Sequence, residues 1–211
     1  MHQYSLEFKR QDAFLEEDYV ISDCNAYVAN LIFNFPVRWG VDPYPRTLLI
    51  IGPKSSGKTH LANIWAAKAN AKFASGEEIS TFNNSNVIID DIENYAEKDL
   101  FHLFNQAHED AKYMLITASS KPEFSLADLQ SRLNAVLRVH IDLPDEHMIK
   151  ILLIKGFSNR SIKVGVEVLD YLSLRITRDF SSIATLIEQL DSVALSAKRK
   201  ITIPLIKELG I

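Results

Sequence analysis

Residues 47–59 read TLLIIGPKSSGKT, and the fold turns on this stretch. Thr47 to Ile51 form a continuous apolar run between Pro45 and Gly52. A short run of this kind, closed by a glycine, is the pattern of a strand buried on both faces. The next eight residues, Gly52, Pro53, Lys54, Ser55, Ser56, Gly57, Lys58 and Thr59, fit G-x-x-x-x-G-K-S/T at every fixed position. Gly52 and Gly57 let the backbone curl so that its N–H groups point at phosphate oxygens. Lys58 reaches the β- and γ-phosphates, and Thr59 offers a hydroxyl to Mg²⁺. The helix expected from Lys58 through His60 to about Asn70 adds its positive end. A strand before the loop and a helix after it supply the context that the motif requires.

Outward from the loop the pattern repeats. NVIIDD (86–91) is a second apolar strand, ending in two acids. It delivers Asp90 beside the loop, where a carboxylate can hold Mg²⁺ through water, and Asp91 next to it can orient an attacking water. AKFAS reads as a short strand, and YMLITAS and VLRVHIDL as further buried ones. Helical spacing appears at Leu100, Leu103, Phe104 and Ala107, and NAYVANLIFNF reads as a helix capped by Ser22 or Asp23 and ended by Pro36. Strands alternating with helices imply an α/β domain with a parallel sheet flanked by helices. Beyond Pro144 everything reads as helical, with a stripe at Ile183, Leu186, Ile187, Leu190 and Val193, and a last helix capped by Thr202 with Pro204 in its first turn. The expected division is an N-terminal tail (1–12), a nucleotide-binding α/β domain (13–143) and a small all-helical lid (144–211).

Composition narrows the function. The 211 residues are 47% hydrophobic and 24% charged, ordinary for a globular protein. A net charge of −4 counts against a protein whose main work is gripping DNA. The single cysteine, Cys24, makes no internal disulfide and fits a reducing compartment. No signal peptide and no membrane-spanning run is legible, so a cytoplasmic location is expected. His102, His108 and His147 have no metal-pair spacing.

GPKSSGKTHLA, VIIDDI, LITASSKP, LQSRL and RKITIPLIKEL occur in the order and spacing of the bacterial replication-initiator (DnaA) ATPases of the AAA+ class. The chain resembles that family from about Tyr19 to Leu209. The resemblance implies that Arg132, in LQSRL, is an arginine finger and that Ser119 is a sensor on the γ-phosphate side. It further implies that Arg178 is a second sensor on the lid and that Val20 contacts the adenine ring. The resemblance implies a DNA-reading helix-turn-helix domain after the lid, and helices between the second strand and the IDD motif that hold single-stranded DNA. Here the chain stops at Ile211, and SGEEISTFNNSN has two acids and no Lys or Arg. Asp91 stands where other AAA+ ATPases have glutamate, so the chain itself is expected to hydrolyse ATP weakly at most.

A nucleotide switch with a finger and no DNA reader resembles the Hda group, regulators that inactivate the initiator. That resemblance implies bound ADP or ATP, docking on the polymerase sliding clamp, and stimulation of ATP hydrolysis by DnaA. It implies no strong direct DNA binding and leaves self-association open. It also gives QYSLEF (3–8) a role as a clamp-binding peptide, with Gln3, Leu6 and Phe8 as anchors. A helicase-loader-like or DnaA-like ATPase acting on single-stranded DNA is the competing expectation, with a small-molecule kinase behind it.

Overall fold

The computed structural model describes residues 14–36, 39–40, 42–74 and 85–211. Five parallel strands are described: β1 (Thr47–Ile51), β2 (Ala71–Phe73), β3 (Asn86–Ile89), β4 (Met114–Ala118) and β5 (Leu137–His140). They pair in the order β2-β3-β4-β1-β5. Helices α1 (Ala26–Phe33), α2 (Lys58–Ala69), α3 (Glu97–Glu109) and α4 (Ala127–Ala135) belong to this layer, and α5 (Glu146–Asn159), α6 (Val166–Ser173), α7 (Phe180–Ala197) and α8 (Ile203–Glu208) follow.

Successive side chains of a strand point to opposite faces, and both faces here are apolar. Leu48, Ile50, Ile88, Leu115 and Val139 join the face packed by α1 and α2. Leu49, Ile51, Val87, Ile89, Met114 and Ile116 join the face packed by α3 and α4. Trp65 of α2 is fully buried and stacks near Trp39 and Phe35, with ring centroids 5.1 and 5.6 Å apart. Such aromatic pairs add about 0.5–1.5 kcal/mol each beyond the area they bury.

The C-terminal helices close on a third core, with Ile149, Leu153 and Phe157 of α5 against Leu172, Ile183, Leu186 and Leu190. Asp145 caps α5, its Oδ1 accepting from the Met148 N–H at 2.7 Å, and Asp179 caps α7 through the Ser182 N–H at 2.9 Å. Gly156 lets α5 and α7 cross closely, since a Cβ there would lie 2.3 Å from Ile187 Cδ1. Met148 and Phe180 pack into the α1/α2 core, so that core and the third one meet on α5 and at the start of α7.

Three local expectations differ from what is observed. Helix α1 is not capped by the side chain of Ser22 or Asp23; a turn over 22–25 precedes it, with the Ser22 carbonyl accepting from Asn25 and Ala26. Thr202 stands at the N-cap of α8 with Pro204 in the first turn, but its side chain makes no cap hydrogen bond. Strand β5 is an edge strand with Arg138 and His140 exposed, rather than buried on both faces.

Candidate functional site

The loop after β1 lies at the carboxyl ends of the strands. Gly52 must be glycine because a Cβ would come within 2.9 Å of Ile141 Cβ, where β5 leaves the sheet. Gly57 has φ +88° and Ser55 φ +63°, left-handed conformations that curl the chain around a hollow. Gly57 is also the N-cap of α2 and supplies no side-chain cap, so the first N–H groups of the helix stay available to an anion. Lys58 is 5% exposed, and its Nζ donates to the carbonyls of Gly52 at 2.9 Å and Pro53 at 3.0 Å. An ammonium has three donors, so one remains for a phosphate oxygen. Ser56 Oγ is buried without a protein partner, as expected where a loop is built for a ligand. Lys54 is exposed on the rim.

Strand register brings the acids to the loop. Asp90 follows Ile89, which pairs with Ile116, so Asp90 and Thr117 lie side by side and point toward α2. Asp90 Oδ2 accepts from Thr59 Oγ1 at 2.8 Å, and Asp90 Oδ1 accepts from Thr117 Oγ1 at 2.7 Å. A hydroxyl and a carboxylate in contact are hard oxygen donors that fit Mg²⁺, which takes few protein ligands when phosphates supply the rest. No larger group of three metal-binding side chains occurs among the described residues. Asp91 has φ +52° and gives its N–H to Thr117 Oγ1 at 2.8 Å. Ser119 lies just past β4, its N–H donating to Glu93 Oε1 at 2.5 Å. Burial, then the charges of Asp90 and Asp91, push the Tyr95 phenol up, which keeps it a donor to the Ala74 carbonyl at 2.6 Å.

A cavity of about 590 Å³ opens beside the loop, lined by Ser55, Ser56, Gly57 and His60, by Phe14, Leu15, Asp18, Tyr19 and Val20, and by Met148, Leu152, Lys155 and Phe180. Val20 is in this wall. Asn25 Nδ2 holds the wall by donating to the Val20 carbonyl at 2.9 Å and to Tyr19 Oη at 3.2 Å. Burial pushes the Tyr19 phenol far up, so it stays neutral. His60 Nε2 donates to the Leu15 carbonyl at 3.1 Å, and its ring packs edge-on to Phe14 and Tyr19 at 5.2 and 5.4 Å. Lys155 of α5 binds the carbonyl and carboxylate of Asp18 and so ties the wall to the lid.

The remaining expected site residues lie elsewhere. Arg178 is exposed, immediately before the α7 cap, and does not line the cavity, although Phe180 does. Arg132 is in the last turn of α4, half-buried, with its guanidinium 5.1 Å over the Phe101 ring and Nη1 3.4 Å from Tyr44 Oη. Tyr44 precedes β1, so Arg132 is at the amino end of the sheet, opposite the phosphate loop. Glu97 of α3 fixes where α4 begins by accepting from Ser125 and Leu126, and those N–H groups hold its carboxyl below the usual range. Gln3, Leu6 and Phe8 lie outside the described residues. The sequence reading missed Thr117, Tyr19, Asn25 and Lys155. Of these only Thr117 left a signal, a lone polar residue in an apolar strand.

Residues 145–209 match the family described as Hda, lid domain. An uncharacterised protein of Haemophilus influenzae is 26% identical over 185 residues, which are 76% of this chain and 79% of that one. Domain III of the Thermotoga maritima replication initiation protein DnaA superposes with a TM-score of 0.71 at 20% identity, covering 90% of this chain and 92% of that one. The Thermotoga maritima RuvB Holliday junction branch migration motor has a TM-score of 0.62 at 17% identity over 78% of this chain and 60% of its own. The last helices are thus similar to the Hda lid domain, and the chain shares its fold with DnaA domain III.

Proposed function

We propose that the protein is a nucleotide-bound regulator of DNA replication initiation. It binds ADP or ATP with Mg²⁺ at the phosphate loop, docks on the sliding clamp through Gln3, Leu6 and Phe8, and promotes ATP hydrolysis by the DnaA initiator. A nucleotide-bound relative of the fold supports the first part: a DnaA bound to AMPPCP and single-stranded DNA superposes with a TM-score of 0.68. The phosphates lie along the loop and the α2 N-terminus, Lys58 neutralises them, and Thr59 and Asp90 hold the cation. The base and ribose occupy the cavity walled by Tyr19 and Val20 and roofed by α5. Arg178, one residue outside the cap of α7, serves as the lid's sensor, and Ser119 lies on the γ-phosphate side. Asp91 orients water poorly because its side chain is short, so turnover by the protein alone is weak.

The position of Arg132 carries the regulatory reading. It lies roughly 15 Å, the length of a five-residue strand, from its own phosphate loop. A guanidinium at that distance does not reach the nucleotide of its own chain, which leaves it to serve a neighbour's once it leaves Phe101 and Tyr44. A finger supplied in trans stabilises charge on the transferring phosphoryl group and is worth about 10³–10⁵ in rate. The test combines the protein, DNA-loaded clamp and ATP-bound DnaA and follows phosphate release. Wild-type protein should accelerate release, whereas Arg132→Ala should bind nucleotide and clamp without accelerating it. Normal stimulation by the variant would refute the reading. Strong turnover by the isolated protein with single-stranded DNA would instead favour a DnaA-like or loader-like ATPase.

A further inference from the structure

We infer that Thr117 is a positioning residue for the cation-binding acid, an inference that rests on the nucleotide reading above. Its side chain is fully buried in the middle of the sheet, yet both of its hydrogen-bonding capacities are spent on one neighbouring turn. The hydroxyl has a single proton, and it goes to Asp90 Oδ1 at 2.7 Å. A lone pair of the same oxygen takes the Asp91 N–H at 2.8 Å. One atom therefore fixes the Asp90 carboxylate and the backbone of the residue after it.

The arrangement follows from register and not from local sequence. Ile89 pairs with Ile116 and Ile50 with Thr117, so the hydroxyl reaches Asp90 from the β4 side while Thr59 reaches it from α2. These two threonines have different duties. Thr59 stands at the loop, where its oxygen can turn to a cation. Thr117 is sealed in the sheet and has no other partner to turn to, so its bond holds the carboxylate whether or not a cation is bound. Asp91 needs the same anchor. Its φ of +52° is a left-handed conformation that a side-chain-bearing residue rarely adopts, and the Thr117 oxygen receives the N–H that this conformation presents. Without the hydroxyl, Asp90 keeps only the Thr59 bond and can rotate, and the turn that sets Asp91 is free to relax. Partners that orient a metal ligand typically matter 10–100-fold in metal affinity.

The test uses the full chain and a fluorescent ADP analogue, with Mg²⁺ titrated against a chelator. Wild type should bind the analogue more tightly as Mg²⁺ is added. Thr117→Val keeps shape and volume but removes the hydroxyl. It should bind the Mg²⁺-free analogue within about twofold of wild type, while the Mg²⁺ concentration at half effect rises about tenfold or more. Thr117→Ser restores the hydroxyl and should restore the wild-type Mg²⁺ midpoint. Thermal melts accompany each variant; if Thr117→Val does not fold, Thr117→Ala against Thr117→Ser makes the same comparison. A Thr117→Val midpoint equal to wild type, in a protein that binds the analogue, overturns the inference alone. A Thr117→Ser midpoint shifted as far as that of Thr117→Val also overturns it, because packing and not the hydroxyl would then be at work. Wild type that binds no analogue with or without Mg²⁺ overturns the nucleotide reading and the inference together.

Discussion

Replacing Gly57 by alanine tests the contact between the phosphate loop and the cavity wall. The cost has two parts. The first is conformational: at φ +88° an alanine pays about 1–2 kcal/mol for left-handed backbone. The second is steric. The new Cβ would lie 2.9 Å from Tyr19 Cε2, whereas carbon atoms rest at about 3.5–4.0 Å. The ring cannot simply swing away, because Asn25 holds its hydroxyl and Phe33 and His60 pack against its edges and faces. Overpacking of this kind costs about 1–3 kcal/mol. Gly57→Ala should therefore lower the unfolding free energy by about 2–5 kcal/mol, the sum of the two parts. In a Tyr19→Leu background, where the ring edge is gone, only the backbone part should remain. A double-mutant cycle by urea unfolding, in chelator and without nucleotide, should give a coupling of about 1–3 kcal/mol. Additivity of the two substitutions within about 0.5 kcal/mol would show that loop and wall do not press on one another, and the reasoning would fail.

Asp179→Ala should remove the α7 cap and cost about 1 kcal/mol in urea unfolding. Bonds from Ser181 and Ser182 hold the Asp179 carboxyl below the usual carboxylate range. A folded value below the unfolded one means that the benefit is complete at neutral pH and drains away as pH falls below about 4, so the gap between wild type and variant should narrow there. Gly156→Ala should lower the melting temperature by crowding Ile187 Cδ1, and adding Ile187→Val should recover most of the loss; no recovery would place the strain elsewhere. Replacing Gln3, Leu6 and Phe8 together by alanine should abolish co-elution with the clamp, an interaction expected near micromolar, and leave melting temperature and nucleotide affinity nearly unchanged.

The strand–loop–helix unit was legible because its residues are consecutive and each type is demanded by backbone geometry: Gly52 by the approach of Ile141, Gly57 by its positive φ, Lys58 by the carbonyls around it. The alternation of strands and helices was legible because burial on both faces leaves uninterrupted apolar runs. What failed to show was whatever depends on register or on chain ends meeting. Thr117 looks like an ordinary strand former in LITAS, and only its pairing beside Asp90 gives it a task. Phe14 to Tyr19 carry no motif, and only folding lays them against His60. Strand β5 shows the reverse error: VLRVHIDL is apolar enough to read as central, yet position at the sheet edge leaves Arg138 and His140 in solvent.

Helix α5 has a consequence for anyone who would cut the chain. Met148 points into the core shared with α1 and α2, while its neighbour Ile149 points into the core of the last four helices. Phe180, at the start of α7, also crosses over. Trimming at residue 144 would leave two greasy plugs in water on one fragment and two empty sockets on the other. Neither fragment should be well behaved alone, and heat or urea should melt the whole protein in one step, not two.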